Sequence, residues 1–148
     1  NINIPESSRT KRIVQDLSRA ATGIIIDNIQ NIICRQLKSR RQIEITLALK
    51  KLLSEDSHIN RRPSYYAQLL HISPVYLNEV VKNITGTTAS KYIQDEIILR
   101  AKRMLIYTTL SIKEIAFNLG FDDHTYFTRL FTQTAGLSPT TYRKKYLE

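Results

Sequence analysis

Apolar side chains recur at helical spacing through the first part of the chain. Ile25, Ile29 and Ile32 lie three or four residues apart with polar residues between them, which predicts an amphipathic helix whose apolar stripe needs a partner surface. A shorter helix is predicted before Gly23, where the glycine interrupts the pattern. A third helix is predicted from the apolar residues Ile43, Leu47, Leu49, Leu52 and Leu53.

Beyond residue 60 the pattern changes to short helices that are separated by turns. Ser73 and Pro74 form an N-cap followed by proline at the first helical position, and Ser111 with Glu114 forms a capping box. A longer helix is predicted between these signals, over about Ser90 to Tyr107. Because no segment shows the strict alternation of a β-strand, the chain is predicted to be all-α.

This second part of the chain repeats itself at a separation of 49 to 50 residues. The one-residue difference falls in a turn, where Gly120 suits a positive φ and the matching His71 is a less favourable choice. The repeat predicts two helix-turn-helix units, each with a second helix that buries one face and leaves the other for DNA. The matched positions are Ala67 with Ala116, Leu70 with Leu119, Tyr76-Leu77 with Tyr126-Phe127, Val80-Val81 with Leu130-Phe131, and Gly86 with Gly136.

The charge of the chain favours a polyanionic partner. Among 148 residues, 22 Lys and Arg stand against 13 Asp and Glu, which gives a formal net charge of +9. We expect no membrane partner, because neither a run of 18 apolar residues nor a signal peptide is present. Cys34 is the one cysteine, so no internal disulfide can form, and its apolar neighbours predict a small buried side chain.

Two stretches of the second unit carry a specific resemblance to a known family. They are Ile115-Ala116-x-x-x-Gly120-Phe121-x-Asp123-x-x-Tyr126-Phe127-x-Arg129-x-Phe131 and Gly136-Leu137-Ser138-Pro139-x-x-Tyr142-Arg143. With Ser73-x-x-Tyr76-Leu77, Gly86-Thr87-Thr88 and Arg100-x-x-x-Met104-Leu105 before them, they resemble the signature of AraC/XylS-type transcriptional regulators. The resemblance covers roughly residues 43–146.

The resemblance implies a seven-helix DNA-binding domain at residues 41–148. Its first helix-turn-helix is expected at about 61–87, its linker helix at about 90–107 and its second helix-turn-helix at about 111–136. A linker of about 18 residues spans about 27 Å, and successive major grooves on one face of DNA are about 34 Å apart. Two recognition helices are therefore expected in successive grooves, with some bending of the DNA.

The resemblance also implies what the whole protein does and where. We expect a sequence-specific regulator of transcription, an activator rather than a repressor, in the bacterial cytoplasm and associated with the nucleoid when bound. Its expected partners are double-stranded DNA, RNA polymerase and a second copy of itself, and no cofactor is expected. Residues 1–40 are expected to be a helical linker or dimerisation segment, and any small-molecule effector is expected to bind an N-terminal domain outside this sequence, which begins with Asn1 rather than Met.

Base contacts are expected from side chains that point away from the buried stripe of each recognition helix. In the second unit, Arg129 suits guanine O6 and N7, with a phosphate or Asp122 or Asp123 as the alternative partner. In the first unit, Asn78 suits adenine and Val75 suits a thymine methyl group. The complete set is Val75, Asn78, Glu79, His124, Thr125, Thr128 and Arg129.

Glu79 departs from the family pattern, because many relatives carry a basic residue near this position. Its carboxylate either accepts a hydrogen bond from cytosine N4 or forms an ion pair with Lys82. Phosphate contacts are expected at helix N-termini and on the basic face, with a solvated surface charge as the alternative for each lysine. They are Arg62, Lys82, Thr88, Lys91, Ser111, Lys113, Thr140 and Arg143, while Tyr142 is expected to pack in the core.

Two other classes of function were weighed against DNA binding. An enzyme is disfavoured, because the histidines are dispersed and no metal-ligand spacing, phosphate loop or nucleophile motif is present, so catalytic and metal residues are predicted to be absent. A module for interaction or dimerisation that does not read DNA, built on the same helical fold, is the remaining alternative. The isoleucine-rich segment before residue 40 is the feature that favours it.

Overall fold

The computed structural model describes residues 6–56, 59 and 62–147, and this part of the chain contains α-helices and no strand. The all-α fold with two helix-turn-helix units and a long linker helix is confirmed. The helices are α1 (Glu6–Glu55), α2 (Pro63–Leu69), α3 (Pro74–Thr85), α4 (Ala89–Tyr107), α5 (Ile112–Asn118), α6 (His124–Ala135) and α7 (Pro139–Leu147).

The three helices predicted before residue 55 are one helix, so that prediction was wrong. Gly23 lies within α1 and does not interrupt it. A glycine in a helix interior costs about 1 kcal/mol relative to alanine but removes no hydrogen bond, whereas proline would break the ladder. No proline occurs between residues 6 and 62, so nothing in the covalent structure forces the helix to end.

The chain divides into two compact units, residues 1–41 and residues 42–148. In the first unit, Cys34 is exposed, which corrects the expectation of a buried side chain. Ten large apolar side chains of this unit are between 48% and 64% exposed, so the predicted stripe is present and open to solvent. They are Ile13, Val14, Leu17, Ile24, Ile25, Ile26, Ile29, Ile32, Ile33 and Leu37.

In residues 42–148 the buried side chains form one apolar core. The linker helix α4 lies at its centre and packs against α2, α3, α5, α6 and α7. Ala67 on α2 and Ala116 on α5 are fully buried, and the small side chain lets the second helix of each unit approach closely. Tyr142 is half-buried and packs edge-on against Phe131, with 5.5 Å between ring centroids, which agrees with the expected core position.

The turns of the two helix-turn-helix units have the same backbone hydrogen bonds. The amide of Ile72 donates to the carbonyl of Ala67, and the amide of Phe121 donates to the carbonyl of Ala116, both at 3.0 Å. The residue before each donor has a positive φ, 54° at His71 and 88° at Gly120. The separation of 49 residues seen in the sequence is therefore a repeat of backbone geometry.

Two arginines bind the carbonyl groups that helix ends leave without helical partners. The guanidinium of Arg100, on α4, donates to the carbonyls of Ser54 and Asp56 at the end of α1. The guanidinium of Arg143, on α7, donates to the carbonyl of Leu105 at 3.0 Å and to that of Leu110 at 2.6 Å. Each arginine thereby ties the end of a preceding helix to a helix that follows the recognition helix.

Candidate nucleic-acid interface

The recognition helices α3 and α6 are built by the same local signals. Each has twelve residues and ends at a glycine in the left-handed region, Gly86 with φ 77° and Gly136 with φ 75°. Ser73 caps α3 by accepting a hydrogen bond from the amide of Tyr76, and Asp123 caps α6 by accepting from the amides of Thr125 and Tyr126. The two helices are thus equal in length and have equivalent ends.

The outer face of α6 brings together three of the residues expected to contact bases. Thr125, Thr128 and Arg129 line one shallow surface, and Thr132 and Gln133 continue it by one more turn. His124 is exposed at the start of the same helix. The sequence reasoning missed Thr132 and Gln133, although both lie three or four residues beyond Arg129, a spacing that places them on its face.

Arg129 is available for a ligand on this face. It is exposed, and within the described residues no ion pair that involves it is found. Asp123, one of its alternative partners, uses both carboxylate oxygens as the cap of α6. The hydrogen bond from the Thr125 amide lowers the pKa of the Asp123 carboxyl, so this side chain is an anion fixed at the helix N-terminus.

The outer face of α3 differs from that of α6. Val75 is 79% exposed, so its methyl groups are free to meet an apolar group such as a thymine methyl. Glu79 and Lys82 are exposed on the same helix. Asn78 is also exposed, but its Oδ1 accepts a hydrogen bond of 3.0 Å from the amide of Ala89, the first residue of α4. The structure therefore gives this side chain a contact that the adenine assignment did not include.

The residues expected to hold phosphates fall into two groups. Arg62, Lys82, Lys113 and Thr140 are exposed. The other four have intramolecular partners. The hydroxyl of Thr88 caps α4, the ammonium of Lys91 pairs with Asp95 at 2.9 Å, Ser111 caps α5, and Arg143 donates to two backbone carbonyls.

Ser111 lies beside a fixed negative charge. Its amide donates to the carboxylate of Glu114 at 2.7 Å, and this hydrogen bond lowers the pKa of the Glu114 carboxyl. The predicted capping box is therefore confirmed. The N-terminus of α5 therefore carries a fixed negative charge at Glu114, whereas the neighbouring Lys113 is an exposed cation.

Arg143, which was expected to contact a phosphate, has intramolecular hydrogen bonds that the sequence did not predict. It is half-buried, and two of its N–H groups donate to the carbonyls of Leu105 and Leu110. A guanidinium held in this way stabilises the end of α4 and the loop that follows it. Arg143 is therefore a structural anchor, and its expected phosphate contact stays a prediction.

The described part of the chain contains neither a metal-binding cluster nor a helix that could cross a membrane. No group of three or more His, Cys, Asp or Glu residues in that part is placed to hold a metal ion. No described helix has the length and apolar character needed to cross a membrane.

Comparison with known proteins places these units among regulators. A family described as "Helix-turn-helix domain" matches residues 66–145. The transcriptional regulator YfiF of Bacillus subtilis, of helix-turn-helix type and itself uncharacterised, is 32% identical over 96% of this chain. The chain spans 46% of the length of YfiF. Because the alignment covers nearly the whole chain, the similarity extends into the residues before the helix-turn-helix units.

Two solved structures have the same fold. A regulator from Chromobacterium violaceum described as containing an AraC-type DNA-binding domain matches with a TM-score of 0.64 and 21% identity, over 71% of this chain and 94% of that one. The DNA-binding domain of AdpA, solved in complex with a target DNA, matches with a TM-score of 0.59 and 24% identity, over 71% of this chain and 91% of that one.

Proposed function

The chain belongs to the AraC/XylS family of helix-turn-helix transcriptional regulators, and from this premise we propose that it binds double-stranded DNA in a sequence-specific manner. Helices α3 and α6 enter successive major grooves on one face of the duplex. The alternative is an interaction module that does not read DNA. Such a module would not need two outward-facing helices of equal length.

The observation that carries the proposal is the repeated geometry around one linker helix. Helices α3 and α6 have equivalent turns and ends, and both pack against α4. With 19 residues, α4 spans about 28 Å, close to the distance of about 34 Å between grooves on one face. The difference of a few ångströms is small enough for bending of the DNA to absorb it.

The outward side chains divide into base readers and phosphate ligands. On α6 the base readers are Arg129, Thr125 and Thr128, with His124 at the N-terminus of the helix. On α3 they are Val75, Asn78 and Glu79. The exposed cations beside these helices, Arg62, Lys82 and Lys113, contact phosphates, and Thr88, Lys91, Ser111 and Thr140 donate further hydrogen bonds.

We further propose that the whole protein acts on transcription as a homodimer in the bacterial cytoplasm, bound to the nucleoid when it occupies its site. The exposed apolar stripe that contains Ile25, Ile29 and Ile32 supports a dimer, because these half-exposed side chains lie on one face of α1 that a second copy would cover. The family resemblance favours activation, and contact with RNA polymerase follows from that role. Any effector binds a region outside residues 1–148.

Competition binding at several salt concentrations tests the DNA-binding proposal. Affinity for duplex DNA is expected to fall linearly with salt on logarithmic axes, since lysine and arginine displace counterions from phosphates. The preference for one sequence over random competitor is expected to persist as salt rises. Equal affinity for every duplex at every salt concentration would overturn the proposal and favour the interaction module.

The dimer proposal is tested separately, by sedimentation of the chain and of Ile29→Asp. We expect the wild type to dimerise and the variant to be monomeric with unchanged helix content, because a buried unpaired carboxylate is costly. Glu44→Asp, on the same helix outside the apolar stripe, is the control. A wild type that is monomeric at all concentrations, or an Ile29→Asp variant that still dimerises, would overturn it.

A further inference from the structure

Asn78 joins the first recognition helix to the linker helix. Its Oδ1 accepts a hydrogen bond of 3.0 Å from the amide of Ala89. The amides of a helix's first turn have no helical partner, and Ala89 is the first residue of α4. Thr88 serves another of these amides, that of Lys91, through its hydroxyl. The Ala89 amide is therefore served by a side chain eleven residues earlier, on α3.

The second unit lacks this contact because it lacks the donor. At a separation of 50 residues, Thr128 stands in the place of Asn78 and Pro139 in the place of Ala89. Proline has no amide hydrogen, so no acceptor is needed. The Thr128 hydroxyl instead donates to the carbonyl of His124 within its own helix, at 2.9 Å. The acceptor and the donor are present together in the first unit and absent together from the second.

This contact limits what Asn78 can offer to DNA. An asparagine that pairs with adenine uses its oxygen to accept from N6 and its NH₂ group to donate to N7. In this chain the oxygen accepts from the Ala89 amide, so the group left for a base is the NH₂, which only donates. Guanine presents two acceptors in the major groove, whereas adenine and thymine each present one, so a group that only donates favours guanine.

We propose that Asn78 is a positioning residue that fixes α3 against α4, and that it reads guanine in preference to adenine. The second half of this proposal rests on the DNA-binding function proposed above, and the first half does not. It replaces the adenine contact that the sequence alone suggested. The first recognition helix is then set at its angle by the same side chain that reads one of its bases.

A thermal double-mutant cycle without DNA tests the positioning role. Asn78→Ala is expected to lower the unfolding midpoint of the wild type by about 4–8 °C, and to leave the midpoint of Ala89→Pro nearly unchanged. Proline is compatible with this position, because Thr88 has φ −67° and ψ 155°, the conformation that a residue before proline prefers. Equal shifts of the midpoint in both backgrounds would overturn the positioning role.

Asn78→Asp separates positioning from reading. Its carboxylate retains the acceptor for the Ala89 amide and lies at a helix N-terminus, so the midpoint at pH 7 is expected to stay within a few degrees of wild type. It loses the outward donors and adds a negative charge, so affinity for the selected DNA is expected to fall by about tenfold or more. A purely structural role would weaken binding to selected and random duplexes by the same factor, because the added charge repels every phosphate backbone.

Selection of bound duplexes from a random pool tests the base preference. Wild type is expected to select guanine at the position under Asn78, and Ala89→Pro, which frees the amide oxygen, is expected to admit adenine there. Selection of adenine by wild type would overturn the reading role. If neither protein enriches any sequence, the DNA-binding function fails and the reading role with it, while the thermal cycle still decides the positioning role.

Discussion

The two helix-turn-helix units have the same backbone and different outer surfaces. Both recognition helices have twelve residues, a side-chain cap at the start and a left-handed glycine at the end. At the position where the first unit exposes Glu79, the second exposes Arg129, 50 residues later. The comparison shows that the buried and turn positions specify the fold, whereas the outward positions are free to differ between the units.

The interiors of the units differ as well. The buried face of α3 consists of Leu77, Val80 and Val81, whereas Phe127 and Phe131 fill the same face of α6. In the second unit Phe121 lies against Phe127, with 5.3 Å between their ring centroids. The volume of the core differs, yet the helix ends coincide, so the two cores support one backbone arrangement with different side chains.

The largest expected effect comes from the charged position on the recognition helices. Arg129→Ala is expected to weaken specific DNA binding by about 1–3 kcal/mol and to relax the base preference under α6, because a bidentate contact to guanine is lost. Glu79→Ala is expected to relax the base preference under α3, because its carboxylate no longer accepts from cytosine N4. Fluorescence anisotropy with specific and random duplexes measures both changes.

Two other results for Arg129→Ala would contradict base reading by this residue. If Arg129→Ala weakened binding to all sequences by the same factor, Arg129 would be a phosphate ligand and α6 would read its bases through Thr125 and Thr128. If it changed neither affinity nor preference, the outer face of α6 would not be the DNA-binding surface.

The turn residues are expected to give the next largest effect, with opposite signs in the two units. Gly120→His places a side chain at φ 88° and is expected to destabilise the protein by about 1–2 kcal/mol. His71→Gly relieves the same strain at φ 54°, but the greater entropy of glycine in the unfolded chain offsets part of this gain. The change is therefore expected to be neutral or to stabilise the protein by up to about 1 kcal/mol. Urea unfolding measures both, and destabilisation by both changes would contradict the equivalence of the turns.

The caps of the recognition helices are expected to differ in their response to pH. Ser73→Ala is expected to cost about 0.5–2 kcal/mol at any pH, since a hydroxyl cap does not titrate. The Asp123 carboxyl has a pKa below its unfolded value of about 3.9. Its contribution to stability is therefore full above about pH 3.9 and is lost as the pH falls through the lower folded pKa.

Asp123→Asn is the variant that isolates this response. Asparagine still caps the helix, so the variant is expected to unfold at a slightly lower temperature than wild type at pH 7 and at a similar temperature near pH 2. Circular dichroism at the two pH values measures the difference. A difference in midpoint that does not change with pH would show that the negative charge of Asp123 does not stabilise α6.

The sequence was sufficient to predict the features that depend on neighbouring residues. The caps at Ser73 and Ser111, the linker helix and the left-handed residues His71 and Gly120 all follow from local patterns, and the structure confirms them. The continuity of α1 was not predicted, because the cost of one glycine is small beside the hydrogen bonds of a long helix.

The hydrogen bonds of Asn78 and Arg143, which the sequence did not predict, join residues far apart in the chain. Asn78 bonds to an amide eleven residues away, and Arg143 bonds to carbonyls 33 and 38 residues away. Sequence reasoning treated both as outward polar side chains, since hydrophobic periodicity gives the direction of a side chain and not its partner. The exposure of Cys34 was missed for a related reason, because an apolar run predicts burial only where a partner surface exists.

The spacing of the selected DNA motif tests the central claim most directly. Wild-type protein should enrich, from a random duplex pool, two conserved blocks with centres about 10 base pairs apart, one for each recognition helix. Insertion of five base pairs between the blocks should then abolish the preference, because α4 fixes the separation of α3 and α6. A single contiguous block, or binding that tolerates the insertion, would contradict the account.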